Sequence, residues 1–151
     1  MSFVFDASKP IAIGCDHAGI EYKNAVKKWL ESKGYNVKDF GTYNTESVDY
    51  PDFAHPTAAS VETGEACFGI LFCGSANGVA MTANKHAGIR AGLCWVTEVA
   101  ELVRLHNDAN MICIPARFVS LELAFEMIEK FMGTSFEGGR HQNRVNKITC
   151  A

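Results

Sequence analysis

The chain has 151 residues, of which 48% are hydrophobic and 21% charged, and a formal net charge of −3. That size suits one domain, spanning 1–151, with a buried core. So small a negative charge provides no overall field for nucleic acid or an anionic membrane, so neither is expected as a partner, and any bound anion must be held by a local cluster of donors.

In chain order, short apolar runs alternate with longer amphipathic stretches. The first ten residues have no basic n-region and are not read as a signal peptide. Ile11 to Ile13 reads as a first strand. Tyr22, Ala25, Val26, Trp29 and Leu30 then form a stripe at helical spacing, with Gly34 as its stop. Asn36 to Phe40 is a second strand. His55-Pro56 opens a second helix that turns Ala58 and Val61 inward. Phe68 to Phe72 is a continuous apolar run suited to a strand buried on both faces, and a short helix follows Gly78. Ile89 to Cys94 is the fourth strand, followed by a helix with Val99, Leu102, Val103 and His106 on one face. Met111 to Ile114 is the fifth, followed by a helix burying Leu121, Ala124, Phe125, Ile128 and Met132 and stopping at Gly133. A last helical segment, from about Glu137 to Ile148, has little apolar surface of its own and is expected to pack on a second subunit.

Strict alternation of strand and helix predicts a parallel sheet with helices on both faces, which binds ligands beyond the carboxyl ends of its strands. No run is long enough to span a membrane. The six cysteines form no Cys-x-x-Cys pair and no Cys/His zinc spacing. Reduced thiols and a cytoplasmic location are expected.

The strand ends carry the unusual residues. The first runs into Gly14-Cys15-Asp16-His17-Ala18-Gly19. Alone, Asp16 is as readily a helix cap as a catalytic group. The third ends in Cys73-Gly74-Ser75-Ala76-Asn77-Gly78. Small residues there let backbone approach a ligand, and amides at a helix start would attract anions and lower the pKa of a thiol. The same residues also suit a plain tight turn. His106-Asn107-Asp108 closes the fourth helix, where a histidine in phase with the apolar face is more often a packed residue than a catalyst. Arg140 and Arg144, four apart, share a helix face and make either a phosphate clamp or a solvated basic patch.

These four motifs occur in order: Gly-Cys-Asp-His, Cys-Gly-Ser-x-x-Gly, His-Asn-Asp, and Glu-Gly-Gly-Arg-His-x-x-Arg. Together they closely resemble type B ribose-5-phosphate isomerases, within the wider ribose/galactose phosphate isomerase family, from about Ile11 to Ile148. The resemblance implies a Rossmann-like three-layer sandwich with five parallel strands. It implies a homodimer, sometimes paired into a tetramer, with active sites between subunits, and chemistry without metal or organic cofactor. It casts Cys73 as the base that moves a proton between C1 and C2, with backbone amides of Gly74, Ser75, Ala76, Asn77 and Gly78 on the enediolate oxygen. Ser75 and His106 resemble the ring-opening pair, with Asp16 nearby. His17, Arg140 and Arg144 resemble the phosphate group of residues, with Arg117 as a further member. Tyr50 and Asn107 match positions lining the sugar.

Two positions depart from the pattern. Ala76 stands where the family usually has Gly; its methyl is tolerable at negative φ and would otherwise narrow the site. Val79 stands where one branch of the family places a Glu, so Cys73 has no substitute as base. The implied reaction is interconversion of ribose 5-phosphate and ribulose 5-phosphate. An isomerase of allose or galactose 6-phosphate would use the same parts in a roomier pocket, and Ala76 argues for the smaller sugar. A non-catalytic phosphate-ligand module and a Cys73–His106–Asp16 hydrolase triad are the alternatives outside this chemistry.

Overall fold

The computed structural model describes residues 2–150. Five strands, β1 (Ile11–Cys15), β2 (Val37–Asp39), β3 (Gly69–Cys73), β4 (Ala91–Leu93) and β5 (Met111–Pro115), form one parallel sheet in the order β2-β1-β3-β5-β4. Six helices connect or follow them: α1 (Ile20–Ser32), α2 (Pro51–Glu62), α3 (Asn77–Ala83), α4 (Thr97–Asn107), α5 (Leu121–Gly133) and α6 (Arg140–Val145). This is the expected α/β sandwich of three layers.

The central strands are apolar throughout because both their faces are covered. Side chains of period two feed alternate cores. Ile11, Ile13, Ile70, Phe72, Ile112 and Ile114 join the core under α1, α4 and α5. Ala12, Leu71, Cys73, Met111 and Cys113 join the core under α2 and α3. The small residues of the second core (Ala54, Ala58, Ala80, Ala83) let those two helices sit close to the sheet. Phe3 and Phe5, the apolar patch at the start of the chain, pack against the first core beside Tyr35, Phe68 and Phe131.

Several boundaries differ from those read in the sequence. α2 opens at Pro51, a turn ahead of His55, and Pro56 lies inside it. Pro51 supplies the preset φ and the missing N–H that suit a first helical position, so it takes the role assigned to Pro56. The most buried residues of α4 are Ala100 and Arg104; of the face read in the sequence, Val99 and Val103 pack against the first core, whereas Leu102 is 45% exposed. The Arg104 guanidinium is satisfied internally by the Thr134 carbonyl and the Asp108 carboxylate, so a charged residue occupies a core position that a hydropathy pattern assigns to solvent. α6 is shorter than the 137–148 expected. No helix of the described residues is long and apolar enough to cross a membrane.

Candidate functional site

The chain passes from β1 outward to β2 and then returns to β3 on the other side of β1. Beyond the carboxyl ends of β1 and β3 the strand order therefore reverses, which leaves an open crevice between the two departing loops. Cys15 is in register with Phe72, so the next residues on each strand, Asp16 and Cys73, meet across that crevice. The Cys73 Sγ donates to Asp16 Oδ2 at 3.0 Å, and Asp16 Oδ1 accepts the Ala18 N–H at 3.0 Å. Both side chains are nearly buried.

Around this pair lies a cleft of about 420 Å³ whose walls include His17, Gly74, Ser75, Arg117 and Phe118. The Arg117 N–H donates to the Gly74 carbonyl at 3.1 Å, and its guanidinium lies over Gly74, where a Cβ would stand 3.1 Å from Nη1. His17 Nδ1 accepts the Val48 N–H at 3.2 Å, which ties the loop before α2 to the mouth of β1. A Cβ at Gly78 would run into the ring of Tyr50, so this glycine is what lets Tyr50 lie across the start of α3. Ser75 and Asn77 are exposed on the loop, with Asn77 N–H donating to Ser75 Oγ at 3.4 Å.

Two expectations about the loop are corrected. The Cys73 thiol is raised to about 11 rather than lowered. Burial is the largest cause, followed by the hydrogen bond to Asp16 and its charge; the Gly74 and Ala76 amides pull the other way and are outweighed. Ala76 has φ +62°, the left-handed region, and not the negative φ under which its methyl was expected to be harmless. The methyl nonetheless packs into the core beneath α2 and α3 and is absent from the cleft walls, so it does not narrow the site and says nothing about sugar length. Of Ala76, only backbone remains available to a ligand.

His106, Asn107, Arg140 and Arg144 lie elsewhere. α4 runs back from the carboxyl end of β4 to the amino end of β5, so its last turn sits at the opposite edge of the sheet from Cys73. α6 packs against that turn: Glu137 N–H donates to the Leu105 carbonyl at 3.0 Å, and His141 stacks on His106 with ring centroids 4.2 Å apart. The His141 imidazole is held below its usual pKa, first by burial and then by the charges of His106 and Arg140. Asn107 is exposed and its carbonyl accepts from Arg90 Nε at 3.1 Å. Within one chain the two groups of candidate residues thus lie at opposite ends of the sheet. Ser75 and His106 are not paired within it, and a Cys73–His106–Asp16 triad is not formed. Phe118 and Ala18, which also line the cleft, went unnoticed in the sequence, where an apolar or small residue after a strand carries no signal.

A parallel α/β sheet with a thiol–carboxylate pair, an amide-rich loop and an arginine at its switch point defines a class of enzyme acting on small phosphorylated ligands. A model of the family described as Ribose/Galactose Isomerase matches residues 11–148, and the chain belongs to that family. It is 45% identical over 142 residues to ribose-5-phosphate isomerase B of Escherichia coli, covering 94% of this chain and 95% of that one. It superposes on the crystal structure of a ribose 5-phosphate isomerase from Thermotoga maritima with a TM-score of 0.91 and 48% identity, over 93% of this chain and 97% of that one. It also superposes on ribose-5-phosphate isomerase B of Mycoplasma genitalium with bound ribulose 5-phosphate, with a TM-score of 0.91 and 39% identity, over 95% of both chains.

Proposed function

We propose that this protein is an aldose–ketose isomerase that interconverts ribose 5-phosphate and ribulose 5-phosphate, with Cys73 as its base. The observation that carries the reading is the Cys73–Asp16 contact of 3.0 Å at the switch point. The relatives named for this reaction, one of them holding ribulose 5-phosphate, support the substrate.

The reaction moves one proton from C2 to C1 and another from O2 to O1. A thiol at about 11 is almost wholly protonated at neutral pH and cannot itself take the C2 proton. Asp16 Oδ2 already accepts the thiol hydrogen. As substrate excludes water, Asp16 takes that proton, the sulfur takes the proton from C2 and returns it to C1 while the O2 proton passes to O1, and Asp16 then hands its proton back to the thiolate. Negative charge develops on the enediolate oxygen beside the sulfur, where loop amides such as those of Gly74 and Ala76, already directed at Cys73, are the available donors. The fully committed step is thus shared by two side chains from adjacent strands.

The other half of the site comes from a second copy of the chain. A homodimer that sets His106, Asn107, Arg140 and Arg144 of the partner subunit over this cleft joins the two half-sites. Ser75 and the partner's His106 then open the sugar ring, while His17, Arg117 and the partner's arginines hold the phosphate. Tyr50 and Asn107 of the partner subunit flank the sugar. Packing of α6 on the partner accounts for its exposed, polar surface, and two such dimers can pair as a tetramer. Six free thiols, one of them exposed, fit a reducing cytoplasm.

The test is turnover of ribose 5-phosphate by Cys73→Ala, checked for folding by circular dichroism. Loss of isomerisation by at least about a thousandfold is expected for removal of the proton-transfer group. Turnover near that of the unaltered protein would remove Cys73 from the role of base.

A further inference from the structure

The seam between α4 and α6 holds more chemistry than the isomerisation uses. His106 Nε2 lies 3.8 Å from Glu137 Oε2, and His141 Nε2 lies 3.6 Å from the same oxygen. The three donor atoms all fall within 4.8 Å of one another. The imidazoles are stacked with centroids 4.2 Å apart and inclined by 13°, so both Nε2 atoms lie beside the one carboxylate, and a tilt of one ring turns their in-plane lone pairs towards a common ion.

The backbone builds this arrangement. Glu137 is fastened to α4 through its N–H on the Leu105 carbonyl. Gly138 and Gly139 then take φ of +71° and +56°, which reverses the chain into α6. The His141 N–H donates to the Gly138 carbonyl at 3.0 Å, and this turn brings His141 back over His106.

We propose that His106, Glu137 and His141 form a binding site for a divalent transition-metal ion of the zinc type. Ligands about 2.0–2.1 Å from a tetrahedral ion stand roughly 3.4 Å from one another. The His–Glu separations need to close by a few tenths of an ångström, which the exposed Glu137 side chain allows, and the widest donor separation, within 4.8 Å, closes by a tilt of the His106 ring, whose side chain is 39% exposed. Two imidazoles and one carboxylate leave the fourth position open to water or another ligand. The donors select Zn²⁺, Ni²⁺ or Cu²⁺, since Mg²⁺ and Ca²⁺ require mostly oxygen. Arg140 and Arg144 on the same short helix add positive charge, so affinity comes from coordination and not from a negative field.

The consequence for catalysis rests on the ring-opening role proposed above for His106. A metal on Nε2 occupies the lone pair that proton transfer uses, so a bound ion inhibits the isomerase.

Chelator-stripped full-length protein is titrated with Co²⁺, followed by visible absorption, and with Zn²⁺, followed by calorimetry. One ion per chain and the absorption bands of low-coordinate Co²⁺ are expected. Glu137→Gln and His141→Gln, each verified as folded, should weaken binding by more than about a hundredfold, the upper end of what a lost outer partner costs. Undetectable binding in the unaltered protein, or binding unchanged in both variants because thiols such as the exposed Cys150 carry it, overturns the site. In the isomerase assay Zn²⁺ inhibits the unaltered protein, and the rate of Glu137→Gln, read against its own metal-free value, resists the metal. Binding at these residues without inhibition upholds the metal site and removes His106 from ring opening instead.

Discussion

At the scale of single residues, the chemistry turns on how a carboxylate treats a neighbouring thiol. Asp16 keeps the proton on Cys73 in the resting protein, by hydrogen bond and by charge, and in the mechanism proposed above receives it during turnover. Asp16→Asn removes the charge while keeping the shape. The Cys73 pKa then falls from about 11 towards its ordinary value near 9. Alkylation of Cys73 by iodoacetamide at pH 8 should accelerate by roughly threefold per pKa unit lost, because tenfold more thiolate is offset by its weaker nucleophilicity. The same variant should isomerise more slowly, since the thiol proton has lost its acceptor. Peptide mapping of alkylated protein measures the first and a coupled assay the second; an unchanged or slower alkylation rate would mean that Asp16 does not hold the proton.

At the scale of elements, α1 and β2 are pinned by an ion pair that hydropathy alone conceals. The Lys23 Nζ lies 2.8 and 2.7 Å from the two Asp39 oxygens, with side-chain exposures of 1% and 11%. Asp39 Oδ1 also accepts the Gly41 N–H at 2.8 Å, so the pair orders the loop that leaves β2 towards the mouth of the cleft. Asp39→Ala strands a buried ammonium and should lower stability by about 3–5 kcal/mol, read as a drop in the urea midpoint. Adding Lys23→Met to that variant should recover most of the loss, because the cost lies in the unpaired charge; a double variant as unstable as the single would place the loss in packing instead. Other element boundaries answered to local chemistry that is readable in the sequence. Asn107-Asp108 ends α4 as expected, with Asp108 at φ +47° and its carboxylate on Arg104 Nη1 at 2.9 Å.

At the scale of the whole molecule, two features matter: candidate site residues at opposite ends of the sheet, and a sheet lined with thiols. If, as proposed, Arg140 of the partner subunit holds the non-reacting phosphate, Arg140→Ala should raise KM for ribose 5-phosphate with little change in kcat. Steady-state kinetics decides, and an unchanged KM would take Arg140 out of the phosphate site. The thiols set the response to alkali. Burial pushes Cys15 and Cys94 up to about 12 and Cys67 to about 11, with Cys73 also at about 11. All begin near 9 in the unfolded chain. Between pH 9 and 12 the unfolded chain therefore binds fewer protons than the native one, and stability falls as pH rises. The urea midpoint should decline steadily from pH 9 upward, less steeply in Cys94→Ala; a flat profile would show that the native thiols ionise freely.

Local and periodic information was enough to determine much of this protein. Alternating apolar runs and helical stripes specified five parallel strands and their helices, Asp16 and Cys73 were legible as unusual residues at strand ends, and Arg117 entered through the family resemblance. Register was not legible, because pairing between β1 and β3 joins residues 57 apart and depends on every side chain packed around them. The tertiary structure alone decided that Asp16 touches Cys73, that burial outweighs the loop amides in setting the thiol, and that Ala76 faces the core and not the ligand. It also decided that His106 and Arg140 stand at the far edge of the sheet. Helix direction in a parallel fold puts the end of α4 opposite the strand ends, and no pattern along the chain can carry them back across it.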